Sequence, residues 1–104
     1  MQPKIHQLKT DPMPFQSSWD KVKPYEIRFN DRNFQPGDIL ILMETKYDGE
    51  SMNWEDDKNF FPRPLIFTHR TIIQVVESIL YGPIYGLADK WVILSVREIY
   101  RSED

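Results

Sequence analysis

Between Tyr25 and Met43 the chain spells out a strand, a turn and a second strand, and no other stretch limits its fold as tightly. Tyr25-Glu26-Ile27-Arg28-Phe29 alternates apolar and charged side chains without a break, the period-two signature of a half-buried strand. Tyr25, Ile27 and Phe29 are expected to face the core. Glu26 and Arg28 then share the opposite face, their Cα atoms roughly 7 Å apart at two residues' rise. Gln35-Pro36-Gly37-Asp38 reads as a turn, with Gly in the third position supplying the positive φ of a type II geometry. Asp38 to Met43 follows as a continuous apolar run, as expected of a strand covered on both faces. Such a strand belongs in a barrel or in a sheet backed by a helix.

The flanking segments fit that frame. Ile5-His6-Gln7-Leu8-Lys9 reads as a short first strand. Thr10-Asp11-Pro12 offers a helix start, a capping residue followed by Pro at the first helical position. The helix is expected to run to about Asp20, with Phe15 and Trp19 as its buried stripe. Leu65 to Val76 is rich in β-branched residues and reads as a long strand with room for a bulge, although Ile72 to Leu80 also satisfies helical spacing. Gly82-Pro83 and Gly86 mark a loop before a last strand, Trp91 to Val96, and the charged tail from Tyr100 is expected to fray. Residues 47–63 form an acidic, aromatic loop of unusual length, either a surface hairpin or a lid over a pocket. The fold class is therefore mostly β (α+β): a small, largely antiparallel barrel of about five to six strands capped by one N-terminal helix.

With 104 residues, 40% of them hydrophobic, residues 1–104 are expected to make one domain with a real core. The chain has no cysteine, which excludes a disulfide framework, a thiolate metal site and a cysteine nucleophile together. No apolar run has the length of a signal peptide or a membrane span, so no membrane partner is expected and the cytoplasm is the default location. Thirteen basic residues against sixteen acidic ones give a net charge of −3. Tight non-specific DNA binding depends on phosphate neutralisation by Lys and Arg and is not expected of such a chain. No feature sets an oligomeric state.

The segment Lys23 to Arg32 gathers charged and polar side chains around one strand end. Here the chain resembles the ASCH domains of the PUA-like superfamily, which carry Gly-x-Lys-x-x-Glu-x-Arg where the first helix leads into the second strand. Lys23, Glu26 and Arg28 match that motif; Lys21 stands at the Gly position. The resemblance is closest to an uncharacterised bacterial and phage branch, a domain of unknown function. It is carried by His6-Gln7-Leu8-Lys9, by Glu26-Ile27-Arg28-Phe29-Asn30-Asp31-Arg32 running on to Gly37-Asp38-Ile39-Leu40, and by Gly86-Leu87 before Trp91. It covers about residues 5–97. It implies a PUA-like barrel whose relatives bind RNA or modified bases. It also implies a polar pocket between helix and barrel mouth, with Lys9, Lys23, Glu26 and Arg28 lining it and Asp31 and Arg32 beside them. Arg offers a planar fork to phosphate or carbonyl groups, and Glu accepts from exocyclic amines.

Three function classes stay open. The leading one is a binder of RNA or a nucleotide-like small molecule, without cofactor and without a catalytic residue. The second is an amidohydrolase: one ASCH group cleaves the acetyl amide of a modified cytidine with a Lys, a Thr three residues on and a distant Glu. Lys23 matches the Lys, while Glu26 stands where the Thr hydroxyl is expected. A Lys–Glu pair can still activate water. The third is a protein-interaction module working through Trp54, Phe60 and Phe61. Beside these stands the plain alternative that Glu26 and Arg28 are an exposed ion pair worth ~0–1 kcal/mol. His6, next to Leu8 on one face, reads as structural, and His69 stands far from it in sequence, so no metal site is expected.

Overall fold

The computed structural model describes residues 2–49 and 64–103. Five strands and one helix follow in the order β1 (Ile5–Thr10), α1 (Pro12–Trp19), β2 (Tyr25–Phe29), β3 (Ile39–Thr45), β4 (Phe67–Tyr81) and β5 (Trp91–Ser102). They form one sheet in the order β1-β3-β4-β5-β2, curled into a half-barrel. The mostly-β, helix-capped architecture expected from the sequence is what the chain adopts. β1 and β3 run parallel, which needs a crossover, and α1 with β2 supplies it. The remaining pairings are antiparallel.

The concave face holds the core. Leu8, Leu40, Leu42, Ile72, Val76, Val92, Leu94 and Val96 are buried there, and Phe15 and Phe34 are covered almost completely. α1 packs against β3 and inserts Phe15, with Trp19 stacked on it at 5.9 Å. Asp11 is the N-cap residue and Pro12 occupies the first turn, where its missing N–H is harmless. The turn at Gln35–Asp38 forms as read, Gly37 taking φ +92° and Asp38 N donating to Gln35 O.

β4 settles the ambiguity over Ile72 to Leu80 in favour of strand, because both of its edges are paired, to β3 and to β5. Two register shifts against β5 mark its bulges. The tail does not fray at Tyr100. β4 is long enough that Thr71, Ile72 and Ile73 pair with Ser102, Arg101 and Tyr100, so β5 continues to Ser102.

The face of β2 is the opposite of the one expected. Glu26 is 2% exposed and points inward, whereas Tyr25, Ile27 and Phe29 are 39–49% exposed on the outer face. The reason is position. β2 lies at one sheet edge, beside the polar mouth of the half-barrel, where its charged side chains find partners and its apolar ones face outward. Of the acidic loop, residues 50–63 lie outside the described residues, and so do Trp54, Phe60 and Phe61. Among the described residues no helix is long and apolar enough to cross a membrane.

Candidate functional site

Curling brings the two sheet edges, β1 and β2, toward each other, and the space between them and α1 is a cavity of about 350 Å³. Lys9, Thr10, Asp11, Lys23, Glu26 and Arg28 line it, with Pro14, Tyr25 and Ile27 completing the wall. β1 delivers Lys9 and Thr10 at its C-terminal end. The turn after α1 delivers Lys23, and β2 delivers Glu26 and Arg28 two residues apart on one face. That turn depends on Lys21, which takes φ +61° while its N–H reaches Ser18 O and the Val22 N–H reaches Ser17 O. Lys21 thus adopts the left-handed conformation that a Gly takes at little cost.

Glu26 organises the site. Lys23 Nζ donates to Oε2, and Arg28 donates to Oε1 through Nε at 3.2 Å and NH2 at 2.9 Å. These three donors occupy most of the roughly four lone-pair positions of a carboxylate. Lys23 also donates to Tyr25 O at 2.8 Å. The Arg28 guanidinium spans the gap between the sheet edges, reaching Lys9 O at 3.3 Å and Thr10 Oγ1 at 3.1 Å. Counting the three cations Lys9, Lys23 and Arg28 against Glu26 and Asp11, the cavity carries a local charge of +1 within an acidic chain. Among the described residues one Lys23 N–H and one Arg28 N–H stay uncommitted, and Lys9 is exposed at the rim.

Asp31 and Arg32 do not join this cavity. Their side chains are 63% and 42% exposed and 4.0 Å apart. Arg32 instead donates to Gln7 O at 2.9 Å. Together with the Arg28 contact to Lys9 O, this satisfies carbonyls on the outer edge of β1, where no strand pairs among the described residues. Thr10, Asp11, Pro14, Tyr25 and Ile27 line the cavity without having been singled out for it. Thr10 and Asp11 were legible as the strand-to-helix junction, but only the curl of the sheet places that junction opposite β2.

Two further buried carboxylates are structural. Asp38 accepts from His6 Nε2 at 2.8 Å, Gln35 N at 3.0 Å and Lys4 N at 3.1 Å. Burial pushes its carboxyl upward, but these hydrogen bonds outweigh that and hold it below its ordinary value. His6 packs edge-on to Phe34 at 4.8 Å, so it fills the structural role expected of it. Glu44 is gripped by Arg70 through Nε at 2.8 Å and NH2 at 2.7 Å, with Thr68 Oγ1 at 2.6 Å. The Arg70 bond lowers the Glu44 carboxyl against the effect of burial and raises the Arg70 guanidinium. Arg70 lies 4.7 Å from the Trp19 ring and Arg101 4.1 Å from it. A signal for Glu44 existed in the sequence: it continues the inward series Leu40, Leu42, where a lone charge needs a partner. Among the described residues no three His, Asp or Glu side chains gather as a metal site.

A family model described as a domain of unknown function, DUF3850, matches residues 5–96. A search of curated proteins found no match.

Proposed function

The chain belongs to the DUF3850 family, and from that premise we propose that its cavity binds a nucleotide-like ligand, free or within an RNA strand, as a branch of the PUA-like ASCH domains would. The observation that carries this reading is the convergence of Lys9, Lys23 and Arg28 on one cavity around a buried Glu26. A volume of about 350 Å³ lies at the small end of ligand sites and suits a single nucleoside unit. The uncommitted N–H groups of Lys23 and Arg28 face a phosphate or carbonyl oxygen, and the Lys9 ammonium adds charge at the rim. Tyr25 and Pro14 offer flat apolar surface beside them.

The crowding of Glu26 favours binding over hydrolysis. A general base needs a lone pair free for the incoming proton, and three donors already engage this carboxylate. Glu26 thereby holds Lys23 and Arg28 in place.

Thermal denaturation in the presence of nucleosides, nucleotides and short single-stranded RNAs tests the reading. A ligand at 100 times its dissociation constant adds ~2.7 kcal/mol, several degrees in a domain this small. Lys9→Ala at the exposed rim and Lys23→Met, each compared at a temperature where circular dichroism shows it folded, are expected to weaken the best ligand about tenfold each. Unchanged affinity in both, or silence across the whole panel, overturns the proposal. Release of a carboxylic acid from an acylated cytidine, lost in Lys23→Met, would replace it with the hydrolase.

A further inference from the structure

A second cavity of about 250 Å³ opens on the other side of Lys23. Its wall includes Ser18 from α1, Lys21 and Lys23 from the following turn, Gln74 from β4 and Arg97 from β5. Ser18 and Gln74 are 5% and 3% exposed, and Ser18 Oγ and Gln74 Oε1 have no hydrogen-bond partner among the described residues. Gln74 sits on the inward face of β4 between Ile72 and Val76, both essentially inaccessible. An amide placed in that row costs stability unless something pairs with it, and a Leu or Met would fill the same position without cost. Two residues that carry such atoms border one cavity, and unpaired buried polar atoms need a chemical reason.

We propose that this second cavity reads the edge of a nucleobase, with Gln74 and Ser18 supplying a donor–acceptor pair. Either orientation of the Gln74 amide presents one donor and one acceptor, and the Ser18 hydroxyl does both. The complementary group is a planar edge carrying an amine or lactam beside a ring nitrogen or carbonyl, as in cytosine, uracil or adenine. Lys21, Lys23 and Arg97 outnumber Glu98 at its mouth, so the group arrives attached to an anion. Lys23 borders both cavities and places this one next to the first. The class of ligand rests on the nucleotide reading of the first cavity; the atoms that recognise it here are different ones.

The experiment titrates ¹⁵N-labelled protein with cytidine, uridine and adenosine monophosphates and their nucleosides, following the Gln74 side-chain NH2 resonances. The melting temperatures of Gln74→Met and Ser18→Ala are measured beside it. Both variants are expected to melt higher by roughly a few degrees, since each removes an unpartnered buried polar atom. Both are also expected to bind the best nucleotide about tenfold more weakly than the parent. Gained stability with lost binding is the signature of a group kept for a ligand rather than for the fold. Lower melting temperatures in both variants, affinities within about twofold of the parent, or unmoved Gln74 resonances with every probe overturn the inference. If Lys9→Ala weakens binding and Gln74→Met does not, the first cavity stands and this one falls. The reverse result keeps this cavity and removes the first.

Discussion

Glu26 is the residue on which two readings of the chain part. Taken with Arg28 as an exposed pair on a strand face, it would contribute ~0–1 kcal/mol. In the structure it is 2% exposed and holds three donors from Lys23 and Arg28. A carboxylate removed from water is tolerable only when such partners compensate, and each cation in turn relies on it. Glu26→Gln preserves the shape, removes the charge and turns an amide NH2 toward one of the two cations. The expected loss is about 3 kcal/mol of unfolding free energy, read as a lower urea midpoint at unchanged slope. A loss below about 1 kcal/mol would return the pair to the surface-bridge reading.

β2 is an edge strand whose hold on β1 runs through side chains. Among the described residues its backbone pairs with β5 alone, and Arg28 and Arg32 donate to Lys9 O, Thr10 Oγ1 and Gln7 O across the gap. The planar guanidinium of Arg28 reaches Glu26, Lys9 and Thr10 at once, which a single ammonium cannot do. Arg28→Lys keeps the charge and loses the bridge. Hydrogen exchange at the amides that β2 donates to β5 is expected to speed up by about tenfold while β3 and β4 keep their protection; uniform exchange across the sheet would show that the bridge plays no part. The same strand shows what a sequence reveals of an element. Alternation from Tyr25 to Phe29 marked its limits, because pleating forces the period of two. The face was not legible, since period alone does not say which side the rest of the molecule covers, and β2 turns its charges inward. The continuation of β5 to Ser102 was hidden likewise, as it depends on the length of a partner strand distant in the chain. Lys23, Glu26 and Arg28 could be named because the motif around β2 is local, whereas Lys9, on β1, was named only through the family resemblance. Asp31 and Arg32 lie in the same motif, yet the turn after β2 carries them away from the cavity. Gln74, forty-eight positions beyond Glu26 in the same numbering, reaches the neighbourhood of Lys23 only through the curl of the sheet.

For the whole molecule, the two ends of β3 are anchored by carboxylates, and this sets how the fold responds to acid. Asp38 ties the start of β3 to Lys4, His6 and Gln35. Glu44 ties its end to Thr68 and Arg70, and Arg70 continues to Gln16, Phe15 and Trp19 of α1. The unfolded reference values are 3.8 for Asp38 and 4.5 for Glu44, and both carboxyls are held lower in the folded chain. The unfolded chain therefore binds protons first as pH falls. The stabilisation from each group is fully present above its unfolded value and drains away as pH drops from there toward the lower folded value. Urea midpoints are expected to stay nearly level from about pH 7 to 5.5 and to fall as pH drops below the unfolded values of 4.5 and 3.8. Glu44→Gln separates the contributions. It leaves Arg70 without its carboxylate and is expected to lie about 2 kcal/mol below the parent near neutral pH. Its own decline in acid should be shallower, because one of the two titrating groups has been removed. The curves should then converge as pH falls below 4.5 toward the lower folded value of Glu44, where the advantage of the parent fades. Parallel curves over the whole range would mean that Glu44 is bound to Arg70 no more tightly than it is to water, and the acid response would have to come from Asp38 and the surface charges.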